Sequence, residues 1–296
     1  MANLRDIRNR IESIKNTRQI TKAMKMVAAA KLRKAQNRII ATRPYASKMK
    51  EVVARLVGNA TDKHQLLREP ESTDEVLFII IGSDRGLCGA FNNNLFKMVE
   101  KTIEQEYAEY RQAETLSLVC VGRKAIKHFG KRNYNVIAEY PDFFDEINFA
   151  KASGIMKGVI KRFNAGEFDE VKLAYNEFKS VIAQERIVES VLPIEPSALL
   201  EDAVSDNEQK EYIYEPGIDK ILEDLLPSHL NLQLWKAILE SNAAEQGARM
   251  TAMDNATENA NELQEDLELE YNRARQSAIT TEISEIISGA QALENA

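Results

Sequence analysis

Two interleaved rows of residues spaced seven apart run from Leu4 to Leu56, and no other feature constrains the fold as tightly. One row is Leu4, Ile11, Arg18, Lys25, Leu32, Ile39, Ala46 and Val53; the other is Ile7, Ile14, Thr21, Ala28, Ala35, Thr42, Met49 and Leu56. Together they form a coiled-coil seam, apolar at both ends and polar and basic in the middle. At about 1.5 Å rise per residue such a helix is roughly 80 Å long. A domain of ordinary size cannot enclose it, so it requires a partner helix and must project. Pro44, in Arg43-Pro44-Tyr45, predicts a kink, because proline removes a backbone donor and pushes its predecessor out of the helical region.

The other end of the chain supplies the partner. From Ile218 onward Leu230, Leu234, Ile238, Ala248, Ala252, Ala256, Ala260, Leu263, Leu267 and Ala274 keep an approximate helical stripe, small in its middle part. Pro227 predicts an early kink or restart. The net charge is −7, unevenly spread: residues 1–57 hold 15 Lys/Arg and 3 Asp/Glu, residues 217–296 hold 5 and 15. A basic helix alone points to nucleic acid or an anionic membrane. An acidic helix of similar length points instead to charge matched within the chain, and no aromatic residue lies between Met1 and Pro44, so nucleic acid is not expected. The middle of the chain separates the two helices, so they pair antiparallel. Exposed charge pairs of this kind contribute a few tenths of a kcal/mol each and specify more than they stabilise.

The middle has a different texture. Val76–Ile81 and Leu116–Val121 are short continuous apolar runs closed by Gly82 and Gly122, as in strands buried on both faces. Phe91–Tyr110, Arg123–Phe129 and Phe149–Phe163 have helical spacing, and Asn135–Ala138 reads as a weak strand. Val171–Phe178 and Val181–Leu192 alternate like a half-exposed hairpin. Strands alternating with helices define a small α/β sheet with an antiparallel edge. The expected fold class is therefore α/β with a long antiparallel coiled coil, the α/β domain having Rossmann-like topology without a nucleotide motif. Its divisions are helix 1–57, linker 58–75, α/β domain 76–195, acidic loop and foot 196–216, and helix 217–296.

Chemistry-bearing motifs are sparse. Gly82-Ser83-Asp84-Arg85-Gly86-Leu87-Cys88-Gly89 follows a strand and precedes a helix, where a phosphate loop would sit, but Leu87-Cys88 occupies the place of the required lysine. Asp84 and Arg85 read as a turn ion pair, since no second carboxylate or Ser-His pair completes a site. Cys88 reads as a packed thiol, His128 and His229 as structural. No cofactor, metal or catalytic residue is expected, and no run approaches the length of a membrane span. Arg18, Thr21 and Lys25 occupy seam positions that elsewhere carry Leu and Ile, so something other than an apolar helix is expected to face them.

Three stretches together resemble the gamma subunits of F-type ATP synthases. They are Ile20–Gln36 (ITKAMKMVAAAKLRKAQ) followed by Arg43-Pro44-Tyr45, Ser83–Gly89 (SDRGLCG), and Leu269–Gly289 (LEYNRARQSAITTEISEIISG) preceded by Glu245–Met253 (EQGARMTAM). The resemblance covers essentially the whole chain. It implies a non-catalytic rotor shaft standing inside a ring of three alpha and three beta subunits, its foot fixed to epsilon and to the membrane c-subunit ring. It implies that Met24, Lys25, Arg249, Gln276, Thr280 and Glu282 contact beta, and that Tyr212, Tyr214 and Glu215 belong to the foot. It also implies a peripheral location on the cytoplasmic face of a bacterial inner membrane. The redox insertion of the chloroplast members does not interrupt this chain. A coiled-coil scaffold and a nucleotide-dependent enzyme are the rival classes; the first does not account for three family-like stretches, the second lacks a phosphate motif.

Overall fold

The computed structural model describes residues 4–58, 64–68, 70, 72–195 and 214–294. The order of elements is α1 (Leu4–Gly58), a 3₁₀ turn (Gln65–Leu67), β1 (Val76–Ile81), α2 (Phe91–Glu106), α3 (Ala108–Gln112), β2 (Leu116–Val121), α4 (Arg123–Phe129), β3 (Asn135–Tyr140), α5 (Phe149–Asn164), β4 (Glu170–Phe178), β5 (Gln184–Leu192) and α6 (Ile218–Glu294). The chain divides into two compact units, one of residues 1–28 and 250–296 and one of residues 29–249. Neither proline ends its helix: α1 runs through Pro44 and α6 through Pro227. Pro44 lies on an exposed face of α1, where water can satisfy the carbonyl that its missing N–H leaves free.

The larger unit is built around one five-stranded sheet in the order β3-β2-β1-β4-β5. β1 pairs in parallel with β2 and β4, β2 with β3 in parallel, and β4 with β5 antiparallel. The continuous apolar runs of β1 and β2 are buried at every position, because helices cover both faces. Leu77, Ile79, Ile81, Val119 and Val121 face Met49, Val53 and Leu56 of α1, the apolar side of α5, and Leu222 to Ile238 of α6. Val76, Phe78, Ile80, Leu116, Leu118 and Cys120 face α2 and α4 on the other side. The stretch read as a linker contributes a fully buried side chain, Leu66, to the first of these cores. In the same unit Leu32, Ala35 and Ile39 of α1 pack on Leu239 and Ala243 of α6. Leu32, Ala35, Ile39, Met49, Val53 and Leu56 of the seam are buried, and Thr42 and Ala46 half-buried, as the sevenfold spacing predicted.

A cavity of about 690 Å³ lies between α1, β5 and α6, lined in part by Lys50, Glu189, His229, Lys236 and Glu240. Burial, and secondarily Lys50, pushes the His229 imidazole down to about 4 from its ordinary 6.5. The folded chain therefore keeps His229 neutral, while the unfolded chain takes up a proton below pH 6.5. Stability contributed by neutral His229 is fully present above pH 6.5 and erodes as the pH falls toward 4. His229→Gln is expected to remove up to about 3 kcal/mol of that acid-side loss in urea titrations followed by Trp235 fluorescence. The carboxyls of Glu189 and Glu240, raised by burial, act with the opposite sign and are common to both proteins, so the difference isolates His229. Parallel pH curves for parent and variant would refute the assignment.

Candidate functional site

The strand order reverses between β1 and β4, and in open α/β sheets the crevice beyond the carboxyl ends of such strands is where ligands bind. Here α6 fills it. Ser241 Oγ donates to the carbonyl of Ile81 at the end of β1 at 3.5 Å, and Glu240 Oε2 accepts from the backbone N–H of Phe178 at the end of β4 at 3.3 Å. Ala244 packs against Cys88 and Phe91. A Cβ on Gly247 would stand 3.2 Å from the Phe178 ring, so the absence of a side chain lets the helix seat closely. One turn further, Glu245 and Arg249 form an ion pair at 2.6 Å, their side chains 5% and 12% exposed. Arg249 Nη2 also donates to the carbonyls of Arg85 at 3.3 Å and Gly86 at 3.2 Å.

The turn that receives Arg249 is held rigidly. Asp84 does not pair with Arg85, contrary to the sequence reading. Its carboxylate instead accepts backbone N–H bonds from Arg123 (3.0 Å), Asp142 (2.9 Å) and Phe144 (2.7 Å), while Arg85 pairs with Asp145 at 3.0 Å. A carboxylate with two oxygens can take several donors that a neighbouring cation would leave orphaned. Ser83 donates from its hydroxyl to the carbonyl of Arg85 and from its backbone to Asn92 Oδ1. Gly122 has φ +93° and its Cβ would meet the Gly82 carbonyl oxygen at 2.7 Å, so only glycine fits beside the turn. Burial pushes the Cys88 thiol up, with Glu245 adding to it, so Cys88 is held as an unreactive thiol. Sequence reasoning missed Ser241, Glu245 and the inward use of Arg249. The closely spaced small residues Ala243, Ala244, Gly247 and Ala248 were the only signal that this stretch meets backbone.

The smaller unit contains the basic gap in the seam. Arg18 Nη1 donates to Asn261 Oδ1 at 3.2 Å, Thr257 Oγ1 to Thr21 Oγ1 at 2.7 Å, and Lys25 Nζ to Asp254 at 2.5 Å. The polar seam positions of α1 thus meet polar positions of α6 in antiparallel register. What faces these positions is thus a polar stretch of α6, not an apolar one. Met24 is half-buried beside this layer. Thr21→Val alone is expected to cost about 1 kcal/mol, and adding Thr257→Val to recover most of it, since replacing both partners by apolar isosteres is nearly neutral. Thermal unfolding of the four-member cycle, followed by far-ultraviolet circular dichroism, measures the coupling, and strict additivity would refute it.

Extending that register places Leu4 level with Arg275, yet α6 continues to Glu294. Every residue from Arg275 to Ala290 is exposed. Gln276, Thr280 and Glu282 all stand on this extension, with Thr280 Oγ1 donating to the Gln276 carbonyl. Ile279, Ile283, Ile286 and Ile287 make an apolar stripe along it, 48–66% exposed. Of the foot residues, Tyr214 packs against the larger core and Glu215 is exposed, while Tyr212 lies outside the described residues. The described site residues therefore fall into four places: the Arg249 seat, the polar layer with Met24 and Lys25, the exposed extension, and Tyr214 with Glu215 before α6. No helix among the described residues is long and apolar enough to cross a membrane.

A sheet whose switch-point crevice is filled by the chain's own helix, with paired terminal helices and an exposed helical extension, defines an α/β domain carried on long helices. The family model described as ATP synthase matches residues 3–293. The ATP synthase gamma chain of Salinibacter ruber is 51% identical over 99% of both chains, and that of Chloroherpeton thalassium 49% identical over 99% of both. Among solved structures, the central stalk and c-ring assembly of Tetrahymena thermophila mitochondrial ATP synthase contains a chain 26% identical, with TM-score 0.58, over 80% of this chain and 99% of that one. A chain of the Euglena gracilis mitochondrial ATP synthase shares the fold at 22% identity and TM-score 0.68, over 98% of this chain and 94% of that one. The chain belongs to the ATP synthase gamma chain family.

Proposed function

We propose that the chain is the central rotor shaft of an F-type ATP synthase, standing inside three alpha and three beta subunits and passing torque between them and a proton-driven c-subunit ring. The observation that carries this is the exposed extension of α6, whose isoleucine stripe finds no covering surface among the described residues. Catalysis belongs to the surrounding subunits, in keeping with a ligand crevice occupied by α6. Rotation of an asymmetric shaft presents a different face to each beta in turn and shifts its equilibrium between tight, loose and open states, which is differential binding applied mechanically. Gln276, Thr280 and Glu282 on the extension, with Met24 and Lys25 beside the polar layer, are assigned to the beta contacts. The resemblance adds Arg249, whose guanidinium is turned inward. Tyr212, Tyr214 and Glu215 are assigned to the foot, where epsilon and the c ring attach, and the five sequence divisions follow these roles. The complex would be peripheral, on the cytoplasmic face of a bacterial inner membrane.

The test is MgATPase activity of purified alpha and beta, mixed with and without this chain, with the mass of the complex read by native mass spectrometry. One copy per alpha-beta hexamer, with no ATPase from the chain alone, is the expected result. A chain that ignores alpha and beta would point to a scaffold, and one that hydrolyses ATP by itself to an enzyme.

A further inference from the structure

We infer that Arg249 is a positioning residue that clamps the Ser83–Gly89 turn, and through it the α/β sheet, onto α6, so that helix and domain turn as one piece. The use of this clamp in a rotor rests on the shaft reading above; the clamp itself rests on geometry. The switch-point crevice, normally a ligand site, receives α6 as its occupant through Ser241, Ala244 and the bare backbone of Gly247. Those contacts are small and set position only along the helix face. Arg249 closes the seat from the side, with one nitrogen shared by two successive carbonyls of the turn. Glu245, almost wholly buried one turn earlier, fixes the guanidinium in that orientation. The carbonyls of Arg85 and Gly86 are themselves immobilised, because Ser83 bonds one of them and Asp84 ties the turn to the loops after β2 and β3.

The residue type matters. All three contacts fall on one nitrogen, Nη2, whose two hydrogens are shared between the Glu245 carboxylate and the two carbonyls; the rigid guanidinium plane fixes where that nitrogen stands, whereas an ammonium is a compact point charge on a flexible stem. The side chain is 12% exposed and its donors point into the chain, so little of it is available to a partner subunit. This gives Arg249 an inward role, where the resemblance implies an outward one.

The experiment is hydrogen–deuterium exchange of the Ser83, Phe91 and Lys124 amides, whose hydrogen bonds hold the turn, in the chain assembled with alpha and beta. The proteins compared are the parent, Arg249→Lys, Arg249→Met and the double variant Glu245→Leu/Arg249→Met. Arg249→Met is expected to reduce protection of the turn by about tenfold, the size set by losing charge-assisted hydrogen bonds, and Arg249→Lys by less. The double variant replaces the buried pair by apolar groups of similar size and so retains the fold, with β1 amides exchanging as in the parent. Its turn is still expected to lose the same protection. Parental protection of the turn in the double variant overturns the clamp. So does an Arg249→Met protein with slowed turnover and a parental turn, because Arg249 would then act outward against beta. A parent chain that never assembles overturns the shaft reading instead, and exchange in the free chain then decides the clamp.

Discussion

Asp84→Ala is expected to lower the unfolding free energy by about 4 kcal/mol, and Asp84→Asn by about 2 kcal/mol. Asp84 is 8% exposed and receives three backbone N–H groups: Arg123 at the start of α4, and Asp142 and Phe144 in the loop after β3. One carboxylate thereby ties the carboxyl ends of β1, β2 and β3 together. Alanine leaves all three donors without their acceptor in a part-buried place, and hydrogen bonds to charged groups contribute about 1.5–3 kcal/mol each, with water recovering some of that. Asparagine keeps an oxygen for Arg123 and Asp142 but sets an amide N–H₂ against the N–H of Phe144. Urea unfolding followed by Trp235 fluorescence measures both. A loss below about 1 kcal/mol for the alanine variant would mean that water replaces the carboxylate and that the turn is not held by it.

The parts of this fold legible in the sequence are those set by periodic burial. β1 and β2 were legible because helices cover both faces of the sheet and leave only one polar position, Ser117, in the two runs. The α1 seam was legible because Ile7, Leu32, Ile39, Val53 and Leu56 recur at one spacing and are all buried. Pro44 and Pro227 do not end their helices, since their local cost is outweighed by the packing of long helices on either side. The polar gap was legible as a gap but not in its partners. Arg18, Thr21 and Lys25 find their partners, Asn261, Thr257 and Asp254, far away in sequence, and no local pattern pairs them. The Arg249 seat was illegible because it joins a side chain to backbone carbonyls, and carbonyls carry no residue identity. Asp84 was misassigned on the same ground, its partners being three N–H groups. Gln276, Thr280 and Glu282 gained meaning only when the register showed that α6 outruns α1.

That overrun sets the second large effect. Ile283→Ser/Ile287→Ser is expected to weaken binding of the chain to an alpha-beta hexamer by about 30-fold or more, the scale of losing one interface hot spot of about 2 kcal/mol. The chain's own stability should move by no more than about 0.5 kcal/mol, because both side chains are already exposed and serine matches isoleucine closely in helix propensity. The two residues lie one turn apart on the stripe of Ile279, Ile283, Ile286 and Ile287, so the variant bares polar groups where a surrounding sleeve would present apolar ones. Titration of labelled chain into the hexamer reads the affinity, and urea unfolding of the free chain reads the stability. Parental affinity would show that the isoleucine stripe does not meet the ring, and would remove the observation on which the shaft reading rests. Loss of affinity together with loss of stability would mean that the stripe is covered by the chain itself. Loss of affinity alone is the outcome that separates a shaft from a free helix end, because a free end has no surface to lose.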